Sequence, residues 1–207
     1  MKRTLAFAAS LLLLGACSSD GYTIRGKIAG LDNPYVYLLR YTGEVEVIDS
    51  AKVTKGDFVF KGKAEQPEVV YLSTDKQQPF VHFFLENGRI SVDGALSAPA
   101  DIAVLGTPSN DIQRAFDEKI AALEEEFAKA GNDMQRDSLR KEYSKLMSDA
   151  VEMNRDNIYG VTTFLNNAYA FLSPEEVMEQ IALFPAEWQQ RRELTELREA
   201  TERKLRV

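Results

Sequence analysis

Apolar and polar positions along this chain follow two different periods. From residue 21 to residue 106 they alternate in short runs. YTIRGKI is followed by YVYLLRY, then EVEVIDSAKV, FVFKGKA, VVYLS and FVHFFLENGRISVDG. Between the runs lie turn formers: Gly30-Leu31-Asp32-Asn33-Pro34, Thr42-Gly43 and Lys55-Gly56-Asp57. Alternation over five to eight residues, bounded by Gly, Pro, Asn and Asp, reads as half-buried β-strands. Asn87-Gly88 between two apolar runs is the strongest hairpin signal, because both residues tolerate positive φ. The pattern predicts an antiparallel β-sandwich of about eight or nine strands over residues 22–106.

At Gly106 the period changes. Thr107-Pro108-Ser109-Asn110-Asp111 offers capping oxygens and a proline, a helix start. Ile112, Phe116, Ile120, Leu123 and Phe127 recur at helical spacing, and Gly131 ends the run. Leu139, Tyr143, Leu146, Ala150 and Met153 make a second stripe, which Gly160 separates from Phe164, Leu165, Ala168 and Leu172. Ser173-Pro174-Glu175-Glu176 is a capping box with proline in the first turn. Pro185 interrupts, and a charged helix is expected from about Ala186 to Leu205, with Glu187–Arg191, Glu199–Arg203 and Glu202–Arg206 at i, i+4. The fold class is α+β: a β-sandwich followed by a helical region over residues 107–207.

The first residues belong to neither half. Lys2 and Arg3 precede an apolar run from Leu5 to Leu14, then Gly15, Ala16 and Cys17. This is the layout of a secretory signal. The run is about half the roughly 20 residues a spanning helix needs. Leu14-Gly15-Ala16-Cys17 resembles the lipobox of bacterial lipoproteins. The resemblance implies cleavage between Ala16 and Cys17, removal of residues 1–16, and acylation of Cys17 at the head of a short tether, residues 17–21. Several acyl tails hold a protein stably at a bilayer where one does so marginally. An ordinary secretory signal with an incidental cysteine is the plainer alternative. Ser18 and Ser19 follow the cysteine and Asp20 comes only later. In the best-studied rule for such lipoproteins an aspartate directly after the cysteine means retention at the inner membrane, so its absence points to the outer membrane. The expected placement is the outer membrane facing the periplasm, an orientation these residues do not encode.

The 207 residues carry a formal net charge of −7 with Lys2 and Arg3 included. An acidic chain suits neither nucleic acid nor anionic headgroups. Cys17 is the only cysteine. Once it is acylated, no thiol remains for a disulfide or for redox exchange.

GYTIRGKIAGL, VYLLRY, VIDSAKVTKGDFVFKGKAEQPE, FFLENGRISVDG and LGTPSND, in that order, resemble a domain of unknown function in Gram-negative envelope lipoproteins. That β-domain often precedes a thioredoxin-like module of the AhpC/TSA type, which uses a Cys-x-x-Cys pair. This chain has no such pair, and Lys204 to Val207 fall about where that module would begin. The resemblance therefore implies the accessory part alone.

Candidate chemistry is sparse. His82, the only histidine, shares a predicted strand face with Phe80 and Phe84, and without ligand-type neighbours it reads as a strand residue. Ser-x-x-Lys at Ser73–Lys76 and Ser138–Lys141 lacks the partner motifs of penicillin-recognising enzymes. Glu124-Glu125-Glu126 reads as a solvated helix face. Tyr37, His82, Phe84 and Trp188 form a candidate binding surface, although each has an equally simple role in packing. The expectation is a non-catalytic binding or scaffolding lipoprotein without a cofactor or metal. It would be anchored to the lipid bilayer through Cys17 and would hold an envelope protein partner. The alternative is an accessory half that positions a separate thioredoxin-like protein. A hydrolase built on carboxylates has no positive support in the sequence.

Overall fold

The computed structural model describes residues 20–168 and 172–206. The lipobox, including Ala16 and Cys17, lies outside the described residues. Among the described residues, eight strands form two four-stranded sheets, and six α-helices follow. The strands are β1 (Tyr22–Ala29), β2 (Tyr35–Tyr41), β3 (Val45–Lys52), β4 (Asp57–Gly62), β5 (Glu68–Ser73), β6 (Pro79–Leu85), β7 (Gly88–Ala95) and β8 (Ala103–Leu105). One sheet has the order β4-β1-β7-β8 and the other β3-β2-β5-β6. The fold is α+β, and neither sheet closes on itself.

Alternation fills the space between the sheets. Ile24 and Ile28 of β1, Phe58 and Phe60 of β4, and Ile90 and Val92 of β7 point inward from the first sheet. Val36, Leu38, Val70, Leu72, Phe83 and Leu85 meet them from the second. The odd positions of β1, such as Arg25 and Lys27, lie exposed on the outer face of the first sheet.

Two strand-level expectations change. Asn87-Gly88 does not close a hairpin, because β6 and β7 belong to opposite sheets. The Asn87 side chain instead brackets Ala64, accepting from its N–H at 2.9 Å and donating to its carbonyl at 2.8 Å. Gly88, at φ 151°, donates its N–H to Gly21. The crossover then lays β7 alongside β1 in parallel, so the sandwich contains one parallel pair among antiparallel ones. The second change is at Phe80. The β5–β6 ladder shifts register between Leu72 and Ser73. Phe80 therefore packs with the sandwich core and leaves the face of His82 and Phe84.

The helices are α1 (Pro108–Lys129), α2 (Asp133–Glu152), α3 (Ile158–Thr163), α4 (Pro174–Ala182), α5 (Ala186–Gln189) and α6 (Arg192–Leu205), with a π-helical turn at Phe164–Ala168 after α3. Ser173 caps α4 through the reciprocal box with Glu176 that the sequence predicts. Gly160 is not a separator. It lies inside α3 because α3 passes so close to the turn after α2 that a Cβ would collide with the Asn154 carbonyl oxygen. The expected last helix is two helices, broken at Gln190 and Arg191, where Arg191 is extended. This break removes the expected Glu187–Arg191 pair, whereas Glu202–Arg206 forms at 3.4 Å.

Val151, Val161, Phe164, Val177, Ile181, Phe184 and Leu194 build a helical core. A third cluster, Phe84, Phe116, Ala150, Ile158 and Tyr159, joins that region to the second sheet. Among the described residues no helix is long and apolar enough to cross a membrane.

A cleft between the sheet and the helices

The capping oxygens at the start of α1 hold the helices against the sheet. Thr107, the N-cap residue, makes no side-chain cap. Its Oγ1 accepts instead from Asn110 Nδ2 at 2.7 Å. Asn110 is 2% exposed and serves as a short strand surrogate. Its Oδ1 accepts from the Phe84 N–H at 2.9 Å, and its Nδ2 donates to the Phe84 carbonyl at 2.8 Å. Ser109 donates through N–H and Oγ to the two oxygens of Glu86, at 3.1 and 2.7 Å. These bonds satisfy the end of edge strand β6 and fix α1 beside it.

The outer face of the second sheet is the floor of a cleft of about 1140 Å³. Strand register aligns Leu39, Tyr71 and His82 in one cross-strand row. The Tyr71 ring lies 6.0 Å from His82, and Tyr41 meets it edge-on at 4.6 Å. One row further, Phe84 is covered by Tyr159 at 6.1 Å, which stacks on Phe116 at 5.5 Å. The floor is therefore largely aromatic, with Leu39 and Val69 between the rings, sealed by helices at Phe84 and open at His82 and Tyr41.

Polar groups line the walls. α1 turns Gln113, Asp117 and Ile120 toward the cleft, and α3 contributes Tyr159, Thr162 and Thr163. Burial pushes the Tyr159 hydroxyl up to about 12, against the opposing hydrogen bond from Thr163. Asp117 is exposed at the rim of the wall, and the partial loss of water there raises its carboxyl above the usual carboxylate range, with nearby His82 and Arg114 acting in the opposite direction. Burial likewise raises Tyr71. At the mouth, Arg40 forms a two-pronged ion pair with Glu68, its Nη2 lying 2.7 Å from Oε1. The carboxylate holds the Arg40 guanidinium more firmly charged than usual. Tyr22 and the loop from Lys63 to Gln66 complete that end.

The fourth side is the start of α6. Arg191 reaches across to the β4–β5 loop and donates from Nη1 to the Pro67 carbonyl at 2.9 Å. Its guanidinium lies 5.4 Å from the Trp188 ring.

The four residues expected to form a binding surface separate. His82 is exposed within the cleft. Tyr37 lies on the same strand as Tyr41 but faces Lys76, whose Nζ sits 4.6 Å above its ring. Phe84 is 3% exposed beneath the helices. Trp188 packs between the two helical clusters. Ser73 and Lys76 do not cooperate either, since Ser73 Oγ is buried in a turn with Asp75 and Gln78. Glu125 of the acidic run pairs with Lys129 at 3.4 Å on the helix surface. Among the described residues no group of His, Cys, Asp or Glu is arranged to hold a metal ion. Asp117, Tyr159 and Arg191 were not singled out as site residues by the sequence. The α1 stripe shows which face of α1 is buried, but not that its edge borders the sheet.

A second trough, of about 900 Å³, runs between α1 and α2 beside Phe127, Tyr143 and Phe164. It extends to Leu172, next to residues outside the described set.

Residues 22–113 match a family model described as a domain of unknown function (DUF4369). The match covers all eight strands and the first turns of α1, including Asn110, and stops before Asp117. It agrees with the resemblance carried by FFLENGRISVDG and LGTPSND, and no thioredoxin-like domain is seen. No curated protein matches the chain.

Proposed function

We propose that this chain is a non-catalytic binding protein of the cell envelope, held to the outer membrane by an acylated Cys17 and facing the periplasm, and that it seats a protein partner in the cleft between sheet and helices. The observation that carries this reading is the cleft itself. It has an aromatic floor of Tyr41, Tyr71 and His82 and hydrogen-bonding walls from three helices. Aromatic residues are enriched at the buried centre of protein–protein interfaces, with polar groups around them. Aromatic rings supply contact area at small entropic cost.

The anchor fits the same reading. Tyr22, five residues after Cys17, lines the cleft mouth. Five residues span at most roughly 18 Å when extended. The cleft would thus stay close to the lipid surface, where a membrane-associated partner is at high local concentration.

The test is capture from detergent-solubilised envelope with the full chain, compared with a Gln113→Trp variant that fills the cleft from the α1 wall. The reading expects a specific protein recovered with wild type and lost with the variant. Recovery of the same set by both, or of nothing specific by either, would contradict it. Labelled fatty acid should enter wild type and not Cys17→Ser.

A further inference from the structure

The start of α6 is unusual within the cleft. Gln190, Arg191, Arg192 and Glu193 all line it. α6 is 14 residues long, and no side chain caps its N-terminus. The first amides of a helix have no intrahelical partner. Together with the macrodipole they favour an anion. An uncapped helix start alone would be unremarkable, but here it coincides with a buried guanidinium.

The Arg191 side chain is only 7% exposed. A charge so far from water is ordinarily paired and fully hydrogen-bonded. Arg191 is neither. Nη1 is used by the Pro67 carbonyl, Glu193 stands 3.5 Å from Nη2, and buried Nε has no partner. The edge left underused is the Nε–Nη2 side, which binds a carboxylate through two parallel hydrogen bonds.

From this convergence we infer that the α6 N-terminus and Arg191 form a carboxylate site within the cleft, and that the partner presents an acidic peptide segment. A carboxylate fits better than a phosphate. Glu193 lies beside the guanidinium, and Glu65, Glu68 and Asp117 also line the cleft. Arg40, Lys63 and Arg192 line it too, so the lining is close to neutral, and its carboxylates oppose a dianion more than a monoanion. From the site, the segment would run over Tyr71 and His82. This inference rests on the partner-binding reading above and specifies its chemistry.

Trp188 is the only tryptophan, and Arg191 lies against its ring, so intrinsic fluorescence reports on the site. The full chain in detergent is titrated at constant ionic strength with acetyl-Gly-Glu-Gly amide, its Gln counterpart and inorganic phosphate. The expected result is a saturable change with the acidic peptide only, weakened about tenfold or more by Arg191→Lys, which keeps the charge but loses the fork. An equal response to the Gln peptide, tighter saturation by phosphate, no saturable change in wild type, or no effect of Arg191→Lys would each overturn the site. Envelope capture with the same variant separates the two readings. Undiminished capture beside a failed titration removes the carboxylate site and leaves partner binding intact.

Discussion

Replacing Asn110 by alanine tests the join between the two halves. The side chain satisfies the Phe84 N–H and carbonyl, and it also donates to Thr107 Oγ1. At 2% exposure, little water can take its place. Each orphaned buried backbone group costs about 1–3 kcal/mol, so the two at Phe84 predict a loss of roughly 3 kcal/mol. That is a large share of the ~5–15 kcal/mol by which domains are stable. Urea denaturation of wild type and Asn110→Ala should show a lower midpoint at unchanged slope. Asn110→Asp sharpens the test. Its oxygen can still accept from the Phe84 N–H, but at neutral pH nothing donates to the Phe84 carbonyl. Below about pH 4 the carboxyl becomes protonated and can donate, so part of the loss should return. An alanine variant within about 0.5 kcal/mol of wild type, or an aspartate variant indifferent to pH, would refute the clamp.

Other consequences concern the walls. Partial desolvation at the cleft wall raises the Asp117 carboxyl above its ordinary range, although the residue stays exposed and solvent screens the effect. The folded state therefore binds that proton more tightly than the unfolded chain does. The stability this contributes is complete below the ordinary carboxylate range and is lost as the pH rises through the raised value. Asp117→Asn, which cannot ionise, should melt slightly above wild type at pH 7, by a margin kept small by solvent, and the gap should close near about pH 3. A gap that widens on acidification would reverse the assignment. Gly160→Ala forces a Cβ into the Asn154 carbonyl. Overpacking of this kind costs about 1–3 kcal/mol. The loss should appear as a lower melting temperature, and an unchanged one would show that α3 does not press on the turn. Ser173→Ala removes the cap of α4 and should cost ~1 kcal/mol in the same assay.

The sequence carries most of the fold because β1, β4 and β7 alternate and several helices announce their starts. Ile24, Ile28, Phe58, Phe60, Ile90 and Val92 lie where alternation puts them. The failures share a cause: a residue with a strong local preference was taken by a contact outside its own element. Asn87-Gly88 has the chemistry of a tight hairpin, but Asn87 is tied to Ala64 and the chain crosses between sheets. Gly160 resembles a helix break, yet it lies inside α3 and leaves room for the Asn154 carbonyl in the turn after α2. Arg191 stands four residues after Glu187 and instead bonds to a carbonyl 124 residues away.

The site was less legible for the same reason. Alternation identifies His82 and Phe84 as sharing a face, but not which of them the helices cover. Asp117, Tyr159 and Arg191 converge from α1, α3 and the start of α6 only after Asn110 has fixed α1 beside β6. Spacing within one helix does not encode that convergence.

The most direct test of the account is site-specific photo-crosslinking in intact cells. A crosslinking residue at His82, on the open part of the cleft floor, is compared with one at Arg25, exposed on the outer face of the first sheet. A discrete adduct from His82, absent from Arg25, is the predicted result. Equal adducts at both positions, or none at His82 while Arg25 labels, would contradict a partner seated in the cleft.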